Sequence, residues 1–389
     1  MDHVSRPSMP INRRRLLALA GATCALTLPV VRATAQSSPD PLDKLVVINA
    51  LGGLEDPNPR RLTEPVSDVP SISARALADA RASGVTAMNV TIGYVFGAED
   101  PFTQTVRAVS QWDALFVEHA RAVMKVLTTE DIQRAKAEKR IGVILGFQNA
   151  AMLANQADRV DLFANLGVRV IQLTYNGPNA LGGGALAPPS TGLTLFGHEV
   201  IEHLNAKRVI VDLAHSGLQT CLDAARASRR PVAISHTGCR ALTDVPRNTT
   251  DEALRLVASR GGFVGIYFMP FLTTGRNATS EDVVAHIEHA VQVCGEDHVG
   301  IGTDGSFTPV DDLEAYRSSL AEEIANRRAK GVSAPGERPD IFPFAIDMRG
   351  PDQLRQLAVK LAARGHSAAR IEKIVGLNFV RYAREVWGA

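Results

Sequence analysis

The strongest constraint this sequence places on its fold is an alternation of short apolar runs with longer stretches of helical period. Runs rich in β-branched residues stand at 45–51, 85–92, 141–147, 168–174, 209–213, 231–235, 263–268 and 299–303. Between them the spacing predicts helices over 73–82, 106–127, 129–138, 196–207, 218–227, 251–259 and 280–293. Strands buried on both faces read as continuous apolar runs, and strands joined through helices lie parallel. Eight of them predict a closed (β/α)8 barrel rather than an open doubly wound sheet. No Gly-x-Gly-x-x-Gly follows the first run and no Gly-x-x-x-x-Gly-Lys occurs, which removes the nucleotide-binding versions of α/β. The stretch 176–189, with Gly182-Gly183-Gly184, reads as a flexible lid or rim, and 308–343 as a second irregular segment. The tail, 351–387, reads as two amphipathic helices joined at Gly365 that close the barrel.

The N-terminus is a separate matter. Asn12-Arg13-Arg14-Arg15-Leu16-Leu17 precedes an apolar stretch, 18–31, and Ala33-Thr34-Ala35 follows. A basic head, a short apolar middle and an Ala-x-Ala exit predict an export signal over 1–35, twin-arginine in type. The apolar stretch falls short of the ~20 residues of a bilayer span, so no stable membrane anchor is expected. The product expected is a periplasmic or secreted protein, with 36–389 as its barrel domain. Lys+Arg 42 against Asp+Glu 41 gives no electrostatic reason for a nucleic-acid partner. Beyond the signal, Cys221, Cys239 and Cys294 have no C-x-x-C spacing and read as buried structural thiols.

In such barrels the chemistry sits where strands end, under the loops of the C-terminal rim. The fifth run ends at Asp212-Leu213-Ala214-His215, the sixth at Ser235-His236, the eighth at Thr303-Asp304-Gly305 and the third at Phe147-Gln148-Asn149. Two imidazoles and a carboxylate thus converge on one rim. They offer nitrogen and oxygen ligands of the kind zinc accepts, and a carboxylate able to take a proton from water. A lone histidine ending an apolar strand is more often a hydrogen-bonded core residue, so the argument rests on joint placement. His119, His198, His203, His286 and His289 fall on predicted helices, His298 starts the eighth run and His366 lies in a loop. These read as packing or surface residues.

From about Leu45 to the C-terminus the chain resembles the membrane (renal) dipeptidase family, zinc-dependent hydrolases on a TIM barrel of the metal-dependent hydrolase (amidohydrolase) type. The resemblance rests on Gly192-Leu193-Thr194-Leu195-Phe196-Gly197 with Val211-Asp212-Leu213-Ala214-His215-Ser216, on Ser235-His236-Thr237 with Arg247-Asn248, on Asp297-His298-Val299-Gly300-Ile301-Gly302-Thr303-Asp304-Gly305, and on Gly376-Leu377-Asn378-Phe379-Val380-Arg381. It implies a dipeptide-like small-molecule substrate and two zinc ions bridged by a glutamate, and it is consistent with a homodimer. His215 and His236 match the histidines that hold one zinc, Asp304 the acid that handles protons, and Arg247 the arginine that receives the substrate carboxylate.

The chain departs from the family in three ligands. The family's first strand ends Asp-Gly-His-Asn-Asp, and here Asn49-Ala50-Leu51-Gly52-Gly53 replaces it, so Leu51 and Gly53 stand where two ligands are expected. The bridging glutamate is Gln148, whose neutral amide makes a weak third ligand at best. Tyr175 takes the place of a substrate-facing histidine, and Glu55 or Asp56 lies within reach of the altered motif. Three readings follow. One is a dipeptidase or amidase with a single zinc on His215 and His236. Another is a diverged barrel enzyme using Gln148 and Tyr175 as new contacts. The third is a non-catalytic periplasmic protein that binds a carboxylate through Arg247.

Overall fold

The computed structural model describes residues 42, 44–58 and 71–388, and the expected export signal lies outside them. In chain order the elements are β1 (Ile48–Gly52), α1 (Ala74–Ala82), β2 (Ala87–Thr91), α2 (Pro101–Glu118), β3 (Val123–Lys125), α3 (Thr129–Glu138), β4 (Ile141–Phe147), α4 (Arg159–Asn165), β5 (Val168–Gln172), α5 (Leu195–Lys207) and β6 (Ile210–Asp212). There follow α6 (Leu218–Ala227), β7 (Ala233–Thr237), α7 (Asp251–Ser259), β8 (Phe263–Ile266), α8 (Ser280–Cys294), β9 (Val299–Ile301), α9 (Leu313–Ala329), α10 (Gln353–Ala363), α11 (Ala368–Glu372) and α12 (Asn378–Trp387). Several helices start where a side chain can take up a free backbone N–H: Ser73, Asp100, Thr194 and Thr250 each cap one, and Thr128–Asp131 and Thr279–Asp282 form capping boxes.

The strands run parallel in the order β1-β2-β4-β5-β6-β7-β8-β9. All eight predicted runs form barrel strands. Closure is made by side chain as well as backbone. Asn49, fully buried on β1, accepts from Thr303 N and donates to Thr303 Oγ1 (both 2.8 Å). Asp304 N then donates to Leu51 O (2.9 Å), and Gly53 N to Gly305 O (3.3 Å). The two strand ends that would carry the missing ligands and the acid are therefore adjacent.

At the opposite end, Ile48, Ala87, Ile144, Val170, Ile210, Ala233 and Phe263 point inward and pack with Phe379, Tyr382, Val386 and Trp387 of α12. α12 is thus the floor of the barrel, as the tail's amphipathic pattern predicts, and Gly365 (φ 87°) separates it from α10. A π-helical stretch, Lys373–Leu377, joins α11 to α12.

Two expectations fail. The helix expected over 106–127 runs instead over 101–118, started by Asp100 and Pro101, and its last residues form β3, which pairs with 141–143 of β4. The segment 308–343 is not wholly irregular. It contains the 17-residue α9, whose polar sequence buries only Leu320 and Ile324 and so shows little helical period. The 176–189 loop is a bonded rim. Asn176 and 181–184 are buried, Ala185 N donates to His215 O (2.6 Å), and Leu186 N to Asn176 O (2.8 Å). Cys221, Cys239 and Cys294 are buried free thiols, as expected. No described helix is long and apolar enough to cross a membrane.

Candidate active site

Six residues at or just beyond the ends of strands β4, β5, β6, β7 and β9 gather at the C-terminal rim around a cavity of about 420 Å³, and among its walls are Gln148, Tyr175, His215, Arg247 and Asp304. His215 (φ 59°) and Asp304 (φ 58°) both adopt the left-handed backbone region. That region is uncommon outside glycine, though Asp and His enter it more readily than bulky residues, and strain of this kind gathers at functional sites. Here it turns both side chains off their strands into the cavity.

The hydrogen bonds around the two imidazoles settle which ring nitrogen carries the proton. Asn176 Nδ2 donates to Val332 O (2.7 Å), which leaves Asn176 Oδ1 as the acceptor facing His215 Nδ1 (2.6 Å). His215 Nδ1 is therefore the N–H donor, and its Nε2, a bare lone pair, is buried with no hydrogen-bond partner among the described residues. His236 is held similarly. Asp212 Oδ1 accepts from Ser235 N and Ala214 N, and Ser235 Oγ donates to Asp212 Oδ2 (2.5 Å). Ser235 Oγ then accepts from His236 Nδ1 (2.9 Å). His236 Nε2 lies 3.9 Å from Asp304 Oδ2, with Gln148 Nε2 at 3.5 Å, and both of these neighbours line the cavity. The rings lie 4.9 Å apart at 63°. Burial, then the Arg247 charge, keeps both imidazoles well below the usual histidine range and hence neutral.

Asp304 is the ionisable acid of the site. Burial raises its carboxyl to about 6, while Arg247, Arg327 and a Gln148 hydrogen bond pull it down and Glu55 adds to the rise. Arg247 is buried on the loop after β7, where Asn248 anchors the chain by donating to Thr243 O and Phe271 O. Its guanidinium lies over Tyr267 and Phe271, and Nη2 has no partner among the described residues. A buried unpaired donor is costly, and one aimed into a cavity is poised for an anionic ligand. Tyr175 stacks between His215 (4.3 Å) and Phe96 (5.9 Å), and its hydroxyl accepts from Arg327 Nη1 (3.0 Å).

All six candidate residues thus come together: His215, His236, Gln148, Asp304, Arg247 and Tyr175. Gln148 lies beside both His236, with Nε2 at 3.5 Å from Nε2 of the ring, and the Asp304 carboxyl, to which it hydrogen-bonds. At the altered first strand, Leu51 is buried and Gly53 leaves an empty side-chain position. The Glu55 carboxylate fills it, since a Cβ on Gly53 would meet Glu55 Oε2 at 1.7 Å. Asp56 is occupied by Asn58, which donates to it through N and Nδ2. Of the other described histidines, His198 is exposed and several make packing contacts. His286, for example, accepts from Cys239 N and meets Leu272 O, and burial lowers it to about 4. Sequence reasoning missed Arg327, which pairs with Glu337 through two contacts (2.9 and 3.3 Å). It sits on α9, and only the polar character of that helix could have signalled it.

The Nε2 atoms of His215 and His236 and the Asp304 carboxylate are nitrogen and oxygen donors of the kind zinc accepts, whereas Leu51 at the end of β1 offers none. Among the described residues, no three His, Cys, Asp or Glu side chains form a ready-made metal cluster.

Fold and site together define a (β/α)8 barrel of the hydrolase type, with a histidine–carboxylate–arginine pocket at its strand ends. The chain belongs to the membrane dipeptidase family (peptidase family M19), whose sequence profile matches residues 74–333. It is similar to an amidohydrolase from Pseudomonas aeruginosa of known structure, with 29% identity and a TM-score of 0.73 over 90% of this chain and 98% of that one. Among curated proteins it is 26% identical to the "uncharacterized protein in pqqA 5′region" of Klebsiella pneumoniae, over 67% of this chain and 88% of that protein. It is 27% identical to dipeptidase tcpJ of Claviceps purpurea, over 66% of this chain and 54% of that protein. The chain therefore spans about half the length of the fungal dipeptidases it matches. Low identity over most of the chain marks a divergent member.

Proposed function

We propose that the chain hydrolyses dipeptide-like amides with a reduced site that holds a single zinc ion on His215 and His236. The observation that carries this reading is the joint presence of His215 Nε2 and Arg247 Nη2, two buried polar atoms without partners among the described residues, on residues that line one cavity. Zinc bound there supplies a Lewis acid for the scissile carbonyl. The chain's own residues do the rest. Arg247 holds the substrate carboxylate and so fixes which bond lies beside the acid. Asp304 Oδ2 accepts a proton as water adds to the carbonyl carbon, and returns it to the leaving nitrogen as the C–N bond breaks, leaving a carboxylate and an amine. Tyr175, braced by Arg327, bounds the space above His215 and keeps bulk water from that side.

Metal analysis of purified protein is expected to give about one equivalent of zinc, and none in His215→Ala. Retained dipeptide hydrolysis in His215→Ala would sink the reading. Binding without catalysis is the remaining alternative, and a protein that binds N-acyl or dipeptide carboxylates with no turnover at any zinc concentration would establish it. Residues 12–35 further support a proposal of export to the periplasm or beyond, tested by the mass of the N-terminus after expression in a host with a twin-arginine pathway.

A further inference from the structure

The proposed chemistry uses the cavity's floor and leaves its opposite wall unexplained. That wall is built by α9 and the segment after it. Tyr316, Leu320 and Ile324 follow one another at four-residue spacing and so lie on one helix face, and all three border the cavity. Leu320 and Ile324 are the only buried residues of α9. They pack with Phe342, whose ring stacks on Phe344 at 5.4 Å and 3°, in a small apolar cluster separate from the barrel's cores. Two arginines on this side are matched by carboxylates, Arg327 with Glu337 and Arg338 with Asp340, and a third, Arg349, lies over the Phe344 ring and donates to Val310 O (2.7 Å). Ser333 Oγ also donates to Glu337 (2.7 Å). Glu323, the remaining carboxylate on this wall, stands on the exposed side of the helix.

The cavity is thus two-faced. One face carries the Arg247 guanidinium edge, the Asp304 acid and the His215 imidazole, and the other carries the apolar cluster, with Arg327 and Arg338 paired to carboxylates and Glu323 at its exposed edge. A volume of about 420 Å³ lies within the ~300–1,000 Å³ range of small-molecule sites. We propose that the α9 wall selects amides with a free carboxylate at one end and a bulky apolar group, not an exposed ammonium, at the other. N-acyl amino acids and dipeptides with a large apolar first side chain are the class. This rests on the amide-hydrolase reading of the same pocket, with Leu320, Ile324 and Tyr316 as specificity-determining residues.

The test is calorimetric binding to the full-length protein, with zinc present, of N-acetyl-, N-butanoyl- and N-hexanoylglycine beside glycylglycine. Affinity is expected to rise about fourfold for each methylene that reaches the wall, with glycylglycine the weakest. Leu320→Asp is expected to flatten the series and leave N-acetylglycine unchanged, because the floor still binds it. Tyr316→Ser, at a half-exposed position, gives the same comparison should Leu320→Asp fail to fold. A flat series in the native protein, or a rise that survives both substitutions, overturns the proposal. Tighter binding of glycylglycine, lost in Glu323→Gln, overturns it in favour of an ammonium site. A rising series without turnover of any member would support the wall's role and count against the hydrolase reading alone, so the two failures are distinguishable.

Discussion

At the scale of single residues, the site depends on groups that touch no substrate. Ser235 stands between a buried carboxylate and an imidazole, and its hydroxyl can donate to only one of them. Because it donates to Asp212, His236 must present Nε2 to Asp304 and Gln148 as a lone pair. Groups that orient a ligating histidine typically contribute 10–100-fold to metal affinity. Ser235→Ala is therefore expected to weaken zinc binding by about that factor, with Ser235→Thr restoring most of it. Nitrogen NMR of the imidazoles checks the cause, since the substitution should move His236 from one tautomer to a mixture. Asp304 supplies a second prediction. A base must be ionised, so hydrolysis should fall as pH drops through about 6, and Asp304→Asn should remove the activity and this pH limb together. For stability the sign is opposite to that of a paired carboxylate. The folded state holds this proton more tightly than the unfolded chain, so the contribution is full below pH ~4 and is lost as pH rises to about 6. Asp304→Asn should remove that dependence from chemical denaturation curves measured between pH 4 and 7.

At the scale of elements, the strand ends are held at the spacing the site needs by glycine. The carbonyl of Ser235 on β7 approaches the neighbouring backbone so closely that a Cβ on Gly302 would meet it at 2.0 Å, and His236 Cβ at 3.3 Å. Neither is the movable end of a side chain. Gly302→Ala should cost about 1–3 kcal/mol by overpacking, and should displace His236 even where the barrel still folds. A lowered melting temperature with zinc affinity unchanged would mean that the strand adapts without moving the site. Such positions also explain what the sequence made legible. Barrel strands announce themselves because both faces are buried, and a histidine or aspartate closing an apolar run is conspicuous where burial needs a reason. The same logic fails for α9. A helix that covers a cavity is wetted on most of its surface, so its pattern is nearly uniform, and Arg327 was invisible among other charged residues. Tyr175 was found as a departure from a motif, but its partners come from segments distant in the chain, and no spacing encodes them. Likewise Glu55 lies two residues from Gly53, and only the folded backbone brings its carboxylate back over that position.

At the scale of the whole molecule, catalysis at one end of the barrel is supported by packing at the other. The inward side chains near the strand starts, among them Ile48, Ile144, Ile210 and Phe263, have α12 as their cover. α12 brings Phe379, Tyr382, Val386 and Trp387 to that surface, and Asn378 Nδ2 fastens its start by donating to Glu296 O (2.7 Å) and Val299 O (2.8 Å). The second acceptor belongs to β9, the strand that leads to Asp304. Removing residues 368–389 would expose several large side chains, each worth about 1.5–3 kcal/mol when buried. For those four the sum is about 6–12 kcal/mol, comparable with the whole ~5–15 kcal/mol stability of a typical domain. The truncated chain is therefore expected to lose cooperative unfolding altogether. For the N-terminal side the expectation is the reverse, since Pro41–Ala389 is one compact unit and the barrel's cores lie inside it. A chain beginning at Gln36 should melt at the same temperature as the full-length protein. Calorimetry of the two truncations decides the matter: a cooperative transition without α12, or a lower one without residues 1–35, would show that the barrel's closure is organised otherwise.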